Sequence, residues 1–325
     1  MPVTDEQLHD WISDLSHRVE SRLLETVRTP NSFVEEAARY LVDAGGKMFR
    51  PAFVLAAGGL GLDTGTSDED SLVSAAVVVE LTHVASLYHD DVMDEAVLRR
   101  GAPTAHTKWD NSVAIMVGDY MLAQASILSA TLGTDFVAYQ GLTLSRLVQG
   151  QIAEMRGPDT GIDEITHHLD VIRGKTAALI NAAARYGATF AGLEADRIEA
   201  LTTYGENVGI AFQLADDLLD IASSNSGKVQ GTDLREGVPT LTTLLVKAHA
   251  RSEDARLLEL LRSPVPEEEI PEALALLRVH PALAEAKDEV RQWAKKAEAC
   301  LDGFPDVAAT RALRMLCEQA VERTK

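Results

Sequence analysis

Six aspartates in this 325-residue chain fall into two groups of the same spacing: Asp90, Asp91 and Asp94, then Asp216, Asp217 and Asp220. On a helix, residues four apart stack on one face, roughly 6 Å from each other. Asp90 and Asp94 meet that condition, and so do Asp216 and Asp220. The middle aspartate of each group lies about 100° farther round. Carboxylates this close raise one another's pKa unless a cation sits between them. Mg²⁺ is a hard ion that takes one or two carboxylates and completes its shell with water and phosphate oxygens. Each group is therefore a candidate Mg²⁺ site for a phosphate-bearing ligand. The competing reading is a solvated acidic surface, which suits one group taken alone. It suits two groups poorly. They lie 126 residues apart (216 − 90), and each follows an apolar run, Val77-Val78-Val79 or Ile210-Ala211-Phe212. Acidic triplets on such helices are costly if simply buried.

Cations with phosphate-binding character flank both groups. Arg99 and Arg100 follow Asp94 by five and six residues. Two adjacent arginines closing a helix can reach two different anions, and a guanidinium suits bidentate phosphate contact. Their plainer use is to complement a helix C-terminus. Gly45-Gly46 precedes Lys47 and Arg50, a turn that can approach a ligand, or a simple helix stop. His83 stands seven residues before Asp90 on a similar helical face, and its plainer reading is a satisfied core histidine. Lys175 and Thr176 open an apolar helix, where an ammonium and a free N–H could both meet phosphate. Gln213 lies one turn before Asp217, and Lys228 lies in the loop after Asp220. Together these residues make two anion-binding groups beside a metal cluster.

The elements that must position them are helical. Trp11, Leu15, Val19 and Leu23 mark an early apolar stripe, and a second helix ends near Leu41 before Gly45-Gly46. Residues 71–95 contain neither Gly nor Pro; the run is too long for a strand and reads as a buried helix. Further helices are predicted at 111–132, 142–156, 163–173, 176–191, 196–222, 241–249, 254–261, 270–277, 281–302 and 306–324, with a loop over 223–239. No strand-and-turn pattern occurs, so the fold class is all-α. No low-complexity linker separates the acidic groups, and they need one another chemically. One domain over 1–325 follows, with its motifs in 41–245 and a peripheral helical extension from about residue 250.

Composition narrows the function. A formal net charge of −20 argues against nucleic acid as a partner, and equally against steering towards an anionic membrane. An anionic substrate would need local cations or carboxylate-held metal. The two cysteines, Cys300 and Cys317, imply no disulfide framework. The N-terminus is acidic and lacks the apolar core of a signal peptide. The apolar stretch 75–88 contains Glu80 and His83 and is too short to span a bilayer. A soluble, cytoplasmic protein is expected.

The order of motifs resembles the trans-isoprenyl (polyprenyl) diphosphate synthase family. The resemblance covers about 41–245 and rests on GGKMFRP, ELTHVASLYHDDVMDEAVLRRGAPT, MVGDYMLAQA, GKTAALI, GIAFQLADDLLD and GKVQGTDLREGVPTL. It implies a helical bundle around a deep central cavity, usually a homodimer. It also implies condensation of isopentenyl diphosphate with an allylic diphosphate. Three Mg²⁺ are implied: Asp90 and Asp94 hold two with Asp91 in support, and Asp216 holds the third with Asp217 and Asp220 nearby. Lys47, Arg50, His83 and Arg100 match the isopentenyl diphosphate site. Arg99, Lys175, Thr176, Gln213 and Lys228 match the allylic site. Val238 stands where short-chain members often have lysine, and Thr232 where an acidic residue is common, with Asp233 kept. Small residues, Ala85 and Ser86, stand where a bulky aromatic stops chain growth in the family, which implies a product longer than geranylgeranyl diphosphate. The alternatives are a farnesyl or geranylgeranyl diphosphate synthase, a class I terpene cyclase, or a non-catalytic synthase subunit. The second aspartate group disfavours a cyclase, and retention of all six aspartates disfavours the subunit.

Overall fold

The computed structural model describes residues 2–222, 230–262 and 264–321. Among them the only strands are two residues long; the rest of the regular structure is helical. In chain order the helices are α1 (Asp5–Thr26), α2 (Ser32–Asp43), α3 (Phe49–Gly58), α4 (Glu69–Met93), α5 (Ala105–Lys108), α6 (Asn111–Ala130), α7 (Thr134–Arg156) and α8 (Glu164–Ile172). They continue with α9 (Ala178–Phe190), α10 (Ala195–Ala222), α11 (Thr232–Glu236), α12 (Leu241–Ala248), α13 (Ala255–Leu260), α14 (Ile270–Val279), α15 (Pro281–Ala299) and α16 (Ala308–Val321). Two compact units are formed, each from three stretches of chain: 1–145, 179–202 and 304–313, and then 146–178, 203–303 and 314–325.

In the first unit, α4 is the central helix. Asp68 caps it, accepting from the Ser71 N–H, and α1, α3 and α6 pack against it. Val77, Val78 and Val79 are fully buried, so their β-branched bulk is spent on core packing within a helix. On α1 the Thr4 and Gln7 side chains form a capping box, and Leu8, Leu15, Val19 and Leu23 are buried. Trp11 is only half-buried and donates through Nε1 to Glu69. The sequence reading lacked α3. That helix is apolar nearly all round, so it carries no amphipathic period. Backbones meet closely here: a Cβ at Gly187 on α9 would lie 2.2 Å from the Val54 carbonyl oxygen of α3.

Three corrections concern the site. Arg99 and Arg100 do not close a helix. Helix α4 ends at Met93, and the chain forms a small antiparallel hairpin, β1 (Leu98–Arg99) and β2 (Ala102–Pro103), with Leu98 opposite Pro103. Glu95 and Arg100 take left-handed backbone (φ 51° and 54°), and Gly101 follows at 80°. Residues 232–236, within the predicted loop, form the short α11, which begins after the left-handed Gly231. Finally, Lys175 and Thr176 do not open a helix. A π-helical turn, Arg173–Ala177, runs without a break from α8 into α9, so no free helical N-terminus exists there.

In the second unit, the core joins Ile172 and Ala177 to Ile210, Leu214 and Leu218 of α10, and to Leu257, Leu274 and Trp293 of the later helices. Gly150 of α7 lies against the π turn: a Cβ there would come 2.5 Å from the Lys175 backbone nitrogen. Among the described residues two helices, α4 and α6, are long and apolar enough to cross a membrane by length and composition; 72% of the most apolar window of α4 is buried inside the protein, and 39% of that of α6.

Candidate active site

The first aspartate group sits at the C-terminal end of α4. Asp90 is half-buried, Asp91 buried and Asp94 exposed, since Asp94 is the residue that caps the helix. Asp91 is 0% exposed, and its Oδ1 accepts from both Nε and Nη2 of Arg99 at 2.7 Å. The other oxygen, Oδ2, is buried and has no hydrogen-bond partner. Burial pushes the Asp91 carboxyl up, and the Arg99 guanidinium opposes that. The structure thus gives Asp91 and Arg99 a contact with each other that the sequence reading did not contain.

Four charged or titratable groups gather lower on the same unit. Arg100 donates through Nη1 to the Leu41 carbonyl at 2.7 Å, and its guanidinium packs over Gly46, where a Cβ would lie 2.9 Å from Nη2. This close approach, and not a turn angle, is what glycine supplies at 46. Burial pushes the Arg50 guanidinium down, while Glu80 opposes and Arg100 adds to the shift. Arg50 Nε is buried without a hydrogen-bond partner. Glu80 is only 4% exposed; burial pushes its carboxyl up, and Arg50 and Arg100 pull it back. His83, one turn beyond Glu80, is held well below the ordinary histidine range by burial, then by Arg50, Arg100 and Arg99. It is therefore a neutral imidazole at pH 7. Lys47 is exposed.

The second aspartate group lies on α10. Asp216, Asp217 and Asp220 are each half-buried. Thr176 Oγ1 donates to Gln213 Oε1 at 2.9 Å, and Gln213 Nε2 donates to Asp217 Oδ1 at 2.9 Å. His168 Nε2 lies 3.6 Å from Asp217 Oδ2. The backbone N–H groups of Gly231 and Asp233 donate to the Asp220 carbonyl and to Asp220 Oδ2. Burial first, then Asp217, Asp220 and Asp216, pushes the Asp233 carboxyl up to about 8. Negative charge is thus crowded on this face of α10. Lys175 Nζ is ion-paired with Glu154 Oε2 of α7 at 2.5 Å. Lys228 lies outside the described residues.

Sequence reasoning missed Glu80, Glu154 and His168. A lone acid inside an apolar helical stretch was the signal for Glu80. Nothing local marks Glu154 or His168, because their partners are 21 and 49 residues away (175 − 154 and 217 − 168).

The donor set fits a hard divalent cation. It offers carboxylate oxygens on each unit: one buried and unpartnered at Asp91 of α4, and on α10 an acid face that repels itself. No three His, Cys, Asp or Glu side chains among the described residues converge as a ready-made metal cage. Mg²⁺ needs no such cage when substrate oxygens complete its shell. Ala85, five residues before Asp90, is fully buried. Ser86 is half-buried and donates to the His83 carbonyl. Below them Thr82 accepts from Gln140 Nε2 at 2.7 Å, and Tyr186 donates to Gln140 Oε1 at 3.0 Å.

Comparison with known proteins agrees with this chemistry. Residues 31–277 match the polyprenyl synthetase family. The chain is 43% identical over 309 residues to the nonaprenyl diphosphate synthase of Mycobacterium tuberculosis (strain ATCC 25618 / H37Rv), covering 94% of this chain and 91% of that protein. It matches the crystal structure of a decaprenyl diphosphate synthase from Rhodobacter capsulatus at TM-score 0.88, 31% identity and 99% coverage of both chains. It also matches a geranylgeranyl pyrophosphate synthase from Corynebacterium glutamicum complexed with calcium and isoprenyl diphosphate, at TM-score 0.88, 41% identity and 98% coverage of both chains. With that match across more than half its length, the chain belongs to the polyprenyl synthetase family of prenyltransferases and has the all-α isoprenoid synthase fold.

Proposed function

We propose that this chain condenses isopentenyl diphosphate head-to-tail with an allylic diphosphate, giving a trans-polyprenyl diphosphate longer than twenty carbons. The observation that carries the activity is the pair of aspartate groups at matching spacing, in a chain of this family. The likeness to the nonaprenyl synthase and the small side chain of Ala85 support the longer product. A twenty-carbon product is the second reading, favoured by the 41% identity to the Corynebacterium enzyme.

In this reading Asp90, Asp91 and Asp94, with Asp216, Asp217 and Asp220, would hold three Mg²⁺. The metal supplies Lewis-acid stabilisation of charge on the leaving group. Arg99, Lys175, Thr176, Gln213 and Lys228 bind the allylic diphosphate, and Lys47, Arg50, His83 and Arg100 bind the isopentenyl diphosphate. The allylic C–O bond breaks, and its electron pair departs with the diphosphate. The isopentenyl double bond supplies the pair for the new C–C bond. A proton then leaves to the released diphosphate, and a new double bond forms. Preorganised cations stabilise the departing charge, and apolar walls keep water from the carbocation. The neutral imidazole of His83 can donate a hydrogen bond to phosphate without adding a charge among the arginines.

The test is Mg²⁺-dependent diphosphate release from isopentenyl and farnesyl diphosphates by the purified chain alone. Asp90→Ala and Asp216→Ala should each lose nearly all turnover while remaining folded. Undiminished condensation in either variant would refute the assignment.

We read the protein as a single-domain, soluble, cytoplasmic homodimer. Interleaving of the two compact units along the chain supports one domain. An apolar face on α6 that includes Met116 (69% exposed) and Ile127 (64% exposed) supports self-association. Light scattering at micromolar concentration should give twice the 35.1 kDa chain mass. A monomer mass would refute the dimer.

A further inference from the structure

Tyr88 lies two residues before Asp90 and is fully buried. Its hydroxyl reaches α2. It accepts from the Leu41 N–H at 3.2 Å and donates to the Ala37 carbonyl at 2.6 Å. Residues 37 and 41 are four apart, so these are the two groups that pair with each other in an α-helix. The hydroxyl therefore bridges a rung of the α2 ladder, a recognised way of bending a helix. A phenol hydroxyl can donate and accept at once, as it does here.

The bridged rung sits immediately before the cationic turn. The carbonyl of the same Leu41 accepts from Arg100 Nη1 at 2.7 Å. Four to six residues on come Gly45, Gly46 and Lys47, and the Arg100 guanidinium covers Gly46. Next to Leu41, the Tyr40 hydroxyl donates to the Pro103 carbonyl of β2 at 2.9 Å, so the end of α2 is tied to the turn of the hairpin and to β2. A continuous chain of contacts runs from the aspartate-bearing helix, through the Tyr88 hydroxyl and the backbone N–H and carbonyl of Leu41, to Arg100.

We propose that Tyr88 is a positioning residue: by bridging the Ala37–Leu41 rung it aims the Leu41 carbonyl, and so sets the Arg100 guanidinium for the second diphosphate. The inference rests on the reading of Arg100, with Lys47 and Arg50, as the isopentenyl diphosphate site. It goes beyond that reading by linking the metal-bearing helix to those cations through a residue that touches neither substrate.

Tyr88→Phe keeps the ring and removes only the bridge. It should raise KM for isopentenyl diphosphate about tenfold, the effect of losing one positioned hydrogen bond. The allylic KM and kcat should stay within about twofold. A merely structural tyrosine would lower thermal stability, raise both KM values and lower kcat together; that result, or an unchanged isopentenyl KM, overturns the inference. Arg100→Gln is the control. If it leaves the isopentenyl KM unchanged, the site reading fails and the inference falls with it. If it raises that KM while Tyr88→Phe does not, the inference alone fails. Should Tyr88→Phe not fold, hydrogen exchange on the wild-type chain decides. Isopentenyl diphosphate with Mg²⁺ should slow exchange of the amides of residues 37–43, and unchanged exchange there overturns the proposal.

Discussion

The carboxylate of Asp91 is wholly buried, and one of its oxygens takes both Nε and Nη2 of Arg99 across 2.7 Å. A buried charge that loses its partner is expensive, because desolvation is no longer offset. Arg99→Ala should therefore cost about 3 kcal/mol of unfolding free energy, besides abolishing most turnover. Adding Asp91→Asn should restore much of the stability and none of the activity. Chemical denaturation of the single and double variants checks this. Equal stabilities for Arg99→Ala and wild type would mean that the pair is not structural.

Ala85 stands on the buried face of α4, five residues before Asp90. Phenylalanine there should shorten the product, at an overpacking cost of about 1–3 kcal/mol. Chromatographic sizing of products from labelled isopentenyl diphosphate is the measurement. An unchanged distribution would place the growing chain elsewhere.

His83 gives a pH dependence of definite sign. Burial first, then Arg50, Arg100 and Arg99, holds its folded pKa well below the usual 6.5. As pH falls through about 6.5, the unfolded chain takes up a proton that the folded chain refuses. Its contribution is thus present above pH 6.5 and lost on acidification, by at most about 1.4 kcal/mol per pH unit. His83→Gln should lose less stability than wild type between pH 7 and pH 5 in urea titrations. Parallel losses in the two proteins would count against a depressed histidine.

The long helices were legible because burial on one stripe imposes a period, as for Leu15, Val19 and Leu23 of α1. Helix α3 was not, since a helix buried on all sides has no stripe. The aspartate spacing located both groups, but not their partners. Asp91 and Arg99 were each legible as charges, yet their contact depends on a hairpin whose strands are two residues long. The π turn at Arg173–Ala177 is invisible for another reason: one widened turn leaves no mark in composition, and its close contact with Gly150 is made across 24 residues (174 − 150). What sequence conveys well is periodic burial and local charge; what it conceals is tertiary contact at single atoms.

The hairpin carries one further consequence. Left-handed backbone at Glu95 and Arg100 disfavours the fold by about 1–2 kcal/mol at each residue. A loop of ordinary conformation would avoid that strain but would have to be ordered whenever substrate arrives, at about 1–2 kcal/mol per residue. Here the ordering is done once, when the chain folds, and is not repeated in each catalytic cycle. On the proposed reading of the site, the guanidiniums of Arg99 and Arg100 meet their anions already in place, and thermal stability is exchanged for readiness between turnovers.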